Sequence, residues 1–172
     1  EIAKYVDGFD FSGSESIKNL DLIVCTINRL NEFKKEFSYK YKSILTISVH
    51  AGENFANLTP TKHIYMFDEL LNLPIDNIGH GIFLWIPQKC INFSKNINKD
   101  RFSLLTKAVK RGITFEICPT SNVLFSPLNS YQNIPINFFN SIGLKYTINS
   151  DNMTILNTDI YKETKKVNRI KT

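Results

Sequence analysis

The chain of 172 residues, with 42% hydrophobic and 12% aromatic residues, suits one domain over 1–172 and is too apolar to be disordered. Its net charge of +5 comes from scattered lysines and arginines, and no apolar run approaches the roughly 18 residues of a membrane span, so neither a nucleic-acid nor a membrane partner is expected. Three widely spaced cysteines without a C-x-x-C pair argue against a disulfide scaffold and favour a reducing cytoplasm.

The first part of the chain alternates strand-like and helix-like segments. Residues 4–12 are apolar and aromatic and predict a strand, whereas residues 16–37 carry apolar side chains at helical spacing. The nearly continuous β-branched run 43–49 predicts a strand of a parallel sheet that is covered on both faces. Thr59-Pro60 then opens a helix, because proline is favoured in the first helical turn.

The same alternation continues to the end of the chain. The elements predicted there are a strand over 77–84, a helix over 99–111 ended by Gly112, a strand over 113–118, a helix over 135–142, a strand over 144–149 and a helix over 153–166. Pro119 is expected to end the fourth strand and to leave Ser121 and Asn122 in a loop. Strands that alternate with helices at this period predict an α/β fold with a parallel sheet and outer helices.

The densest basic cluster lies in the last predicted helix and beyond it. We interpret it as a solvated helix face or tail rather than as a nucleic-acid site. Its members are Lys162, Lys165, Lys166, Arg169 and Lys171.

Polar side chains follow the predicted strands at their C-terminal ends. In chain order they are Asp10, then His50 and Glu53, then His80, then Ser121 and Asn122, and finally Asp151 and Asn152. In a β/α barrel these strand ends converge on one face, where active sites are built. Because histidines and carboxylates can hold a metal ion and transfer protons, the convergence predicts a functional site.

Each of these residues also has a purely structural interpretation. Glu53 could be a carboxylate favoured by a helix dipole, and Asp151 could be the N-cap of the last helix. Cys118 fits a buried small hydrophobic residue, and His63, inside a helix, fits a surface or packing residue. A lone histidine at a strand end is more often structural, so the convergence and not any single residue favours a site.

Several motifs stand in one order along the chain and carry a family resemblance. They are Gly8–Glu15, His50–Glu53, Ile78–Gly81, Glu116–Asn122 and Ile148–Asn152. In this order and spacing the sequence resembles the adenosine deaminase family from about residue 5 to residue 163. The resemblance implies a zinc-dependent aminohydrolase with one Zn²⁺ per active site, which converts adenosine or deoxyadenosine into inosine or deoxyinosine and ammonia.

The resemblance also implies roles for individual residues. His50 and Asp151 would be zinc ligands, Glu53 the proton donor to purine N1, and His80 the residue that positions and deprotonates the attacking water. The chemistry agrees, because zinc lowers the pKa of bound water and burial keeps a carboxyl such as Glu53 protonated.

Two further positions are implied to contact the purine. Gly13 would offer its backbone amide, and position 152 would contact N7. Asn152 stands where many family members have aspartate. Its amide can donate to N7 without first taking up a proton, so we expect purine recognition to be preserved.

The chain also departs from the family pattern by an absence. The first strand of the family carries a His-x-His pair that supplies two more zinc ligands, whereas the histidines here are His50, His63 and His80. A complete barrel needs about 250 residues and eight strands. The sequence therefore predicts about five strands with outer helices from the later part of a TIM (β/α)8 barrel. A missing segment or another chain would supply the rest, and the segment alone is expected to be inactive and weak in zinc binding.

Two alternatives to an adenosine deaminase remain open at this point. One is a deaminase of adenine or of another 6-aminopurine, since such enzymes share the metal chemistry. The other is a non-catalytic, deaminase-like binding protein, because a fold alone does not fix a function.

Overall fold

The computed structural model describes residues 5–41, 45–56 and 58–170, with only the backbone of Ser38 and Tyr41. Within these residues one sheet contains five parallel strands in sequence order. The strands are β1 (Gly8–Phe11), β2 (Thr46–Ala51), β3 (Asn77–His80), β4 (Thr114–Ile117) and β5 (Lys145–Ile148). Parallel strands in sequence order with helices between them form part of a (β/α)8 barrel, which confirms the predicted α/β fold class.

Helices occupy the connections between strands. They are α1 (Ile17–Tyr41), α2 (Pro60–Leu70), α3 (Ile82–Trp85), α4 (Lys95–Arg111), α5 (Pro119–Phe125), α6 (Ile136–Ile142), α7 (Met153–Leu156) and α8 (Ile160–Asn168), with a 3₁₀ turn at Tyr131–Asn133. Within the described ranges we find no helix with the length and apolar character that a bilayer crossing requires.

The hydrophobic core lies between the sheet and its helices. The sheet contributes Val49, Ile78 and Phe115, and the inner face of α2 contributes Phe67 and Leu70, all of them buried. This burial explains why the segment that forms β2 is a nearly continuous apolar run in the sequence.

Two of the predicted helix boundaries have the expected local causes. The hydroxyl of Thr59 accepts the Lys62 N–H and caps α2, with Pro60 in the first turn. Gly112 ends α4 in the left-handed conformation, at a φ of 72°. The predictions of α2 and of the end of α4 are therefore confirmed.

The predicted strand over 77–84 is too long. The structure ends β3 at His80, and Ile82–Trp85 forms the short buried helix α3. Gly81, with a φ of 64°, turns the chain between them. An apolar run of this length does not by itself distinguish a buried strand from a buried helical turn.

Two other predictions at the C-terminal end are also wrong. Ser121 and Asn122 lie in helix α5 instead of a loop, because Pro119 starts a helix directly after β4. The predicted helix over 153–166 is two helices, α7 and α8, separated by Asn157 at a φ of 47°. Parts of two predicted strands, residue 4 and residues 43–44, lie outside the described residues.

Candidate active site

The polar residues expected at the strand ends lie around one open cleft of about 410 Å³. Its lining includes Asp10, His50, Glu53, His80, Asp151 and Asn152. The five strands end at the same edge of the sheet, and this common edge brings residues that are up to about 140 positions apart into one site.

His50 is oriented by contacts on two sides of its ring. Its Nδ1 lies 3.1 Å from Oδ1 of Asp10, the residue at the corresponding end of β1. A Cβ at Gly79 would lie 2.9 Å from Cγ of the ring, so glycine is required there for the ring to fit. A histidine whose Nδ1 is bound to a carboxylate presents Nε2 to a metal ion, an arrangement common around metal sites.

Glu53 lies in the loop after β2, and a second glutamate holds that loop in place. The carboxylate of the buried Glu15 accepts the backbone N–H groups of Gly52 and Glu53, each at 2.9 Å. Burial raises the pKa of Glu53, and the charge of Asp151 raises it further against the opposing effect of His50. The environment therefore favours the protonated carboxyl that a proton donor needs. Helix α2 starts only at Pro60, so the interpretation of Glu53 as a helix-end carboxylate is wrong.

His80 is the most enclosed of these side chains, with 2% of it exposed. Its backbone is in the left-handed region, at a φ of 60°, and its carbonyl accepts the indole N–H of Trp85 at 2.9 Å. Its Nδ1 lies 2.9 Å from Nδ2 of Asn122, and its Nε2 lies 3.3 Å from Oε2 of Glu53. Burial lowers the pKa of His80 to about 4, with the charge of His50 as the next contribution, so the ring is neutral at pH 7.

The side chains at the cleft include donors suited to a metal ion. His80, Cys118 and Asp151 offer ligand atoms within 4.8 Å of one another. His50, an expected ligand, is outside this group, but its ring centroid is 5.1 Å from that of His80. Burial raises the pKa of the Cys118 thiol to about 12, so it keeps its proton and is a poor ligand. The remaining imidazole and carboxylate donors fit Zn²⁺.

The two expected purine-contact residues lie at different places. Asn152 lines the cleft, and its Oδ1 accepts the Ile155 N–H at 2.9 Å, which leaves the amide Nδ2 as a donor. Gly13 lines a neighbouring cavity of about 280 Å³ to which Ser12 and His50 also belong. Asn152 caps α7 and Asp159 caps α8, so the interpretation of Asp151 as the N-cap of the last helix is wrong.

Sequence reasoning assigned no supporting role to three residues that hold the site in place. Glu15 and Asn122 have been described above. The third, Glu163 on α8, has no exposed surface and accepts the backbone N–H of Thr120 at 2.8 Å and its hydroxyl at 2.5 Å. Glu15 and Asn122 lie inside resemblance motifs and Glu163 lies beyond the last of them, but in each case a distant partner gives the residue its role.

Glu163 also changes the interpretation of the basic cluster. Lys162 and Lys165 are exposed, as expected, whereas Lys166 is partly buried and lies 2.8 Å from Oε1 of Glu163. Lys171 is outside the described residues. As expected for a packing residue, His63 is buried, and its ring stacks on Phe83 with centroids 4.4 Å apart.

Comparison with known sequences points in the same direction. The family model described as "Adenosine deaminase" matches residues 3–171. The adenosine deaminase of Clostridium botulinum (strain Hall) is 34% identical over 123 residues, which cover 72% of this chain and 31% of that protein. The adenosine deaminase of Vibrio atlanticus is 29% identical over 136 residues, which cover 79% of this chain and 35% of that protein. The chain thus spans about a third of the length of these relatives.

Solved structures share the fold over most of the chain. An adenine deaminase from Arthrobacter aurescens superposes with a TM-score of 0.66 at 18% identity and covers 95% of this chain and 41% of its own. An N6-mAMP deaminase from Arabidopsis gives a TM-score of 0.50 at 16% identity and covers 95% of this chain and 47% of its own. At these identities the likeness shows the fold alone.

Proposed function

The chain belongs to the adenosine deaminase family, and on that premise we propose that the protein hydrolyses adenosine or deoxyadenosine to inosine or deoxyinosine and ammonia. The observation that carries the proposal is the pair formed by Glu53 and His80. A carboxyl whose pKa is raised by burial lies 3.3 Å from a neutral imidazole at the strand ends of the sheet. A carboxyl that tends to keep its proton beside an imidazole that tends to lose one is typical of acid–base sites.

In the proposed reaction, water attacks C6 of the purine and the bond between C6 and the exocyclic nitrogen breaks. Glu53 donates a proton to N1, which makes C6 electrophilic and removes negative charge from the ring. His80, beside Glu53, positions the attacking water. Of the two protons of water, one restores the carboxyl of Glu53 and the other goes to the exocyclic nitrogen, which leaves as ammonia. The oxygen of water becomes the 6-oxo group of the product.

We propose His50 and Asp151 as ligands of one Zn²⁺, which supplies the Lewis acidity that makes water nucleophilic at neutral pH. Asp10 would hold the tautomer and orientation of His50 from the other side of its ring, at 3.1 Å. Purine recognition is assigned to the Gly13 amide and to the side-chain amide of Asn152.

The test is a panel of 6-aminopurines assayed with the full-length protein loaded with zinc. Adenosine, deoxyadenosine, adenine and an adenine nucleotide are compared at equal concentration, with product identity and ammonia release as readouts. We expect the nucleosides to be turned over, because the curated relatives at 29–34% identity are adenosine deaminases. Turnover of adenine without turnover of adenosine would show that adenine, and not the nucleoside, is the substrate. No turnover of any purine at full zinc occupancy would favour a binding protein.

A further inference from the structure

The side chain of Asn122 bridges a backbone amide and the ring of His80. Its Oδ1 accepts the Cys118 N–H at 3.2 Å, and its Nδ2 lies 2.9 Å from Nδ1 of His80. Asn122 is 1% exposed and His80 is 2% exposed, so water does not compete for either contact.

The direction of these hydrogen bonds follows from the backbone. A backbone N–H can only donate, so the side-chain atom that faces Cys118 N has to be the carbonyl oxygen of Asn122. The NH₂ group therefore faces His80, and an NH₂ group can only donate. Nδ1 of His80 has to accept, because a proton there would set two donors against each other. A neutral imidazole with an accepting Nδ1 carries its proton on Nε2.

We propose that Asn122 is a positioning residue that fixes His80 as the Nε2–H tautomer and so makes His80 a hydrogen-bond donor toward the site. The atom that carries this proton lies 3.3 Å from Oε2 of Glu53. With a donor facing Oε2, the acidic proton of Glu53 is kept on Oε1, the oxygen left to face a substrate. The assignment of the tautomer does not depend on the proposed function. Its consequence for proton delivery from Glu53 rests on the proposed function.

This assignment differs from the role implied by the family resemblance. A base that takes a proton from water at Nε2 needs a lone pair there, and in the assigned tautomer Nδ1 has the lone pair instead. The proton released by water therefore goes to the carboxylate of Glu53, which has given its own proton to N1.

A purely structural role for Asn122 makes a different prediction. Its backbone N–H donates to the Cys118 carbonyl at 2.8 Å, and its own carbonyl accepts the Ser126 hydroxyl at 2.6 Å, so it also anchors α5. Asn122→Asp keeps the shape and still accepts the Cys118 N–H, but it offers His80 an acceptor in place of a donor. If Asn122 only anchors α5, this substitution should leave the His80 tautomer unchanged. If Asn122 fixes the tautomer, the substitution should move the proton to Nδ1.

The experiment is ¹⁵N NMR of the histidine rings in metal-free full-length protein, with His80 assigned by comparison with His80→Gln. We expect an unprotonated Nδ1 and a protonated Nε2 in the unsubstituted protein, and a protonated Nδ1 in Asn122→Asp. Ser126→Ala disturbs the same helix without touching the amide, and it should leave the tautomer unchanged.

A protonated Nδ1 in the unsubstituted protein would overturn the proposal, as would an unchanged Nδ1 in a folded Asn122→Asp variant. If that variant does not fold, the spectrum of the unsubstituted protein decides by itself. Because no substrate is present, a failure here is distinct from a failure of the proposed reaction. In the zinc-loaded protein, Asn122→Asp should lower kcat by a factor on the order of 10²–10⁴ with a smaller change in KM, since it misplaces a proton and not the purine.

Discussion

Replacing Glu53 by glutamine separates proton donation from every other contribution of that residue. Glutamine has the same shape as a protonated glutamate, but its amide does not deliver a proton to N1. The loop itself is held by Glu15 through the backbone N–H groups of residues 52 and 53, and the substitution leaves both hydrogen bonds intact. We therefore expect less than about 1 kcal/mol of change in the free energy of unfolding, because the side chain is partly exposed and glutamine can keep the contact with Nε2 of His80.

The expected loss of rate is much larger than this loss of stability. A positioned general acid contributes about 10²–10⁴-fold, which corresponds to roughly 3–5 kcal/mol of transition-state stabilisation. Burial raises the pKa of Glu53, which favours the protonated carboxyl that this contribution requires. Zinc content should stay unchanged, because Glu53 is not a ligand in the proposed site.

Two measurements on the same preparations provide the assay. Bound zinc is quantified after dialysis, and steady-state turnover of adenosine is measured at saturating substrate. His50→Ala is the matched control, since loss of a ligand should remove metal and activity together. If Glu53→Gln turns over adenosine at close to the original rate with zinc bound, Glu53 is not the proton donor.

Three further predictions concern the structure around the site. Glu163→Ala removes a fully buried carboxylate that accepts from four donor groups, and it should lower the free energy of unfolding in urea by about 3–5 kcal/mol. The control is Glu32→Ala at an exposed ion pair, which should lower it by less than about 1 kcal/mol. Burial lowers the pKa of His63 to about 4, below its unfolded value of 6.5, so the unfolded state takes up the proton first and stability falls between about pH 6.5 and pH 4 by up to roughly 3 kcal/mol. Between pH 7 and pH 5 this fall should be smaller by about 2 kcal/mol in His63→Phe, as measured by urea midpoints at the two pH values. Gly79→Ala places a Cβ 2.9 Å from the His50 ring and should weaken zinc binding on the order of 10-fold at an unchanged fold, as read by metal competition and circular dichroism.

The middle of the sheet could be predicted from the sequence because β2 and β3 are largely buried. A covered strand reads as a continuous apolar run, and the helices between such runs carry apolar residues at a different period. Parallel strands have to end at one edge, so the polar residues that follow them could also be predicted to meet. His50, Glu53, His80 and Asp151 do line one cleft.

The support of the site could not be predicted, because it depends on contacts across the chain. Asn122 meets His80 at a separation of 42 residues, and Glu163 meets Thr120 at a separation of 43 residues. No local pattern marks a buried amide or carboxylate as the partner of a distant group. The short helix α3 was missed for a different reason, because Gly81 turns the chain inside an apolar run that fits a strand equally well.

The site has a proton-transfer half around His80 and an open half around Asp10, His50 and Asp151, and this chain encloses the two halves to different degrees. His80 and Asp151 both have a left-handed backbone, with φ of 60° and 55°, a conformation that costs on the order of 1–3 kcal/mol and persists only where the surroundings impose it. Around His80 the indole of Trp85 and the amide of Asn122 impose it within a buried shell. On the other side, the His50 side chain is 23% exposed and Asp10 is 48% exposed, and Asp151 lies at the surface of the described chain. The proton-transfer half is thus preorganised by hydrogen bonds, whereas the open half presents imidazole and carboxylate donors that a metal ion would bring into register. Metal binding should therefore order Asp151, whereas it leaves the environment of His80 nearly unchanged.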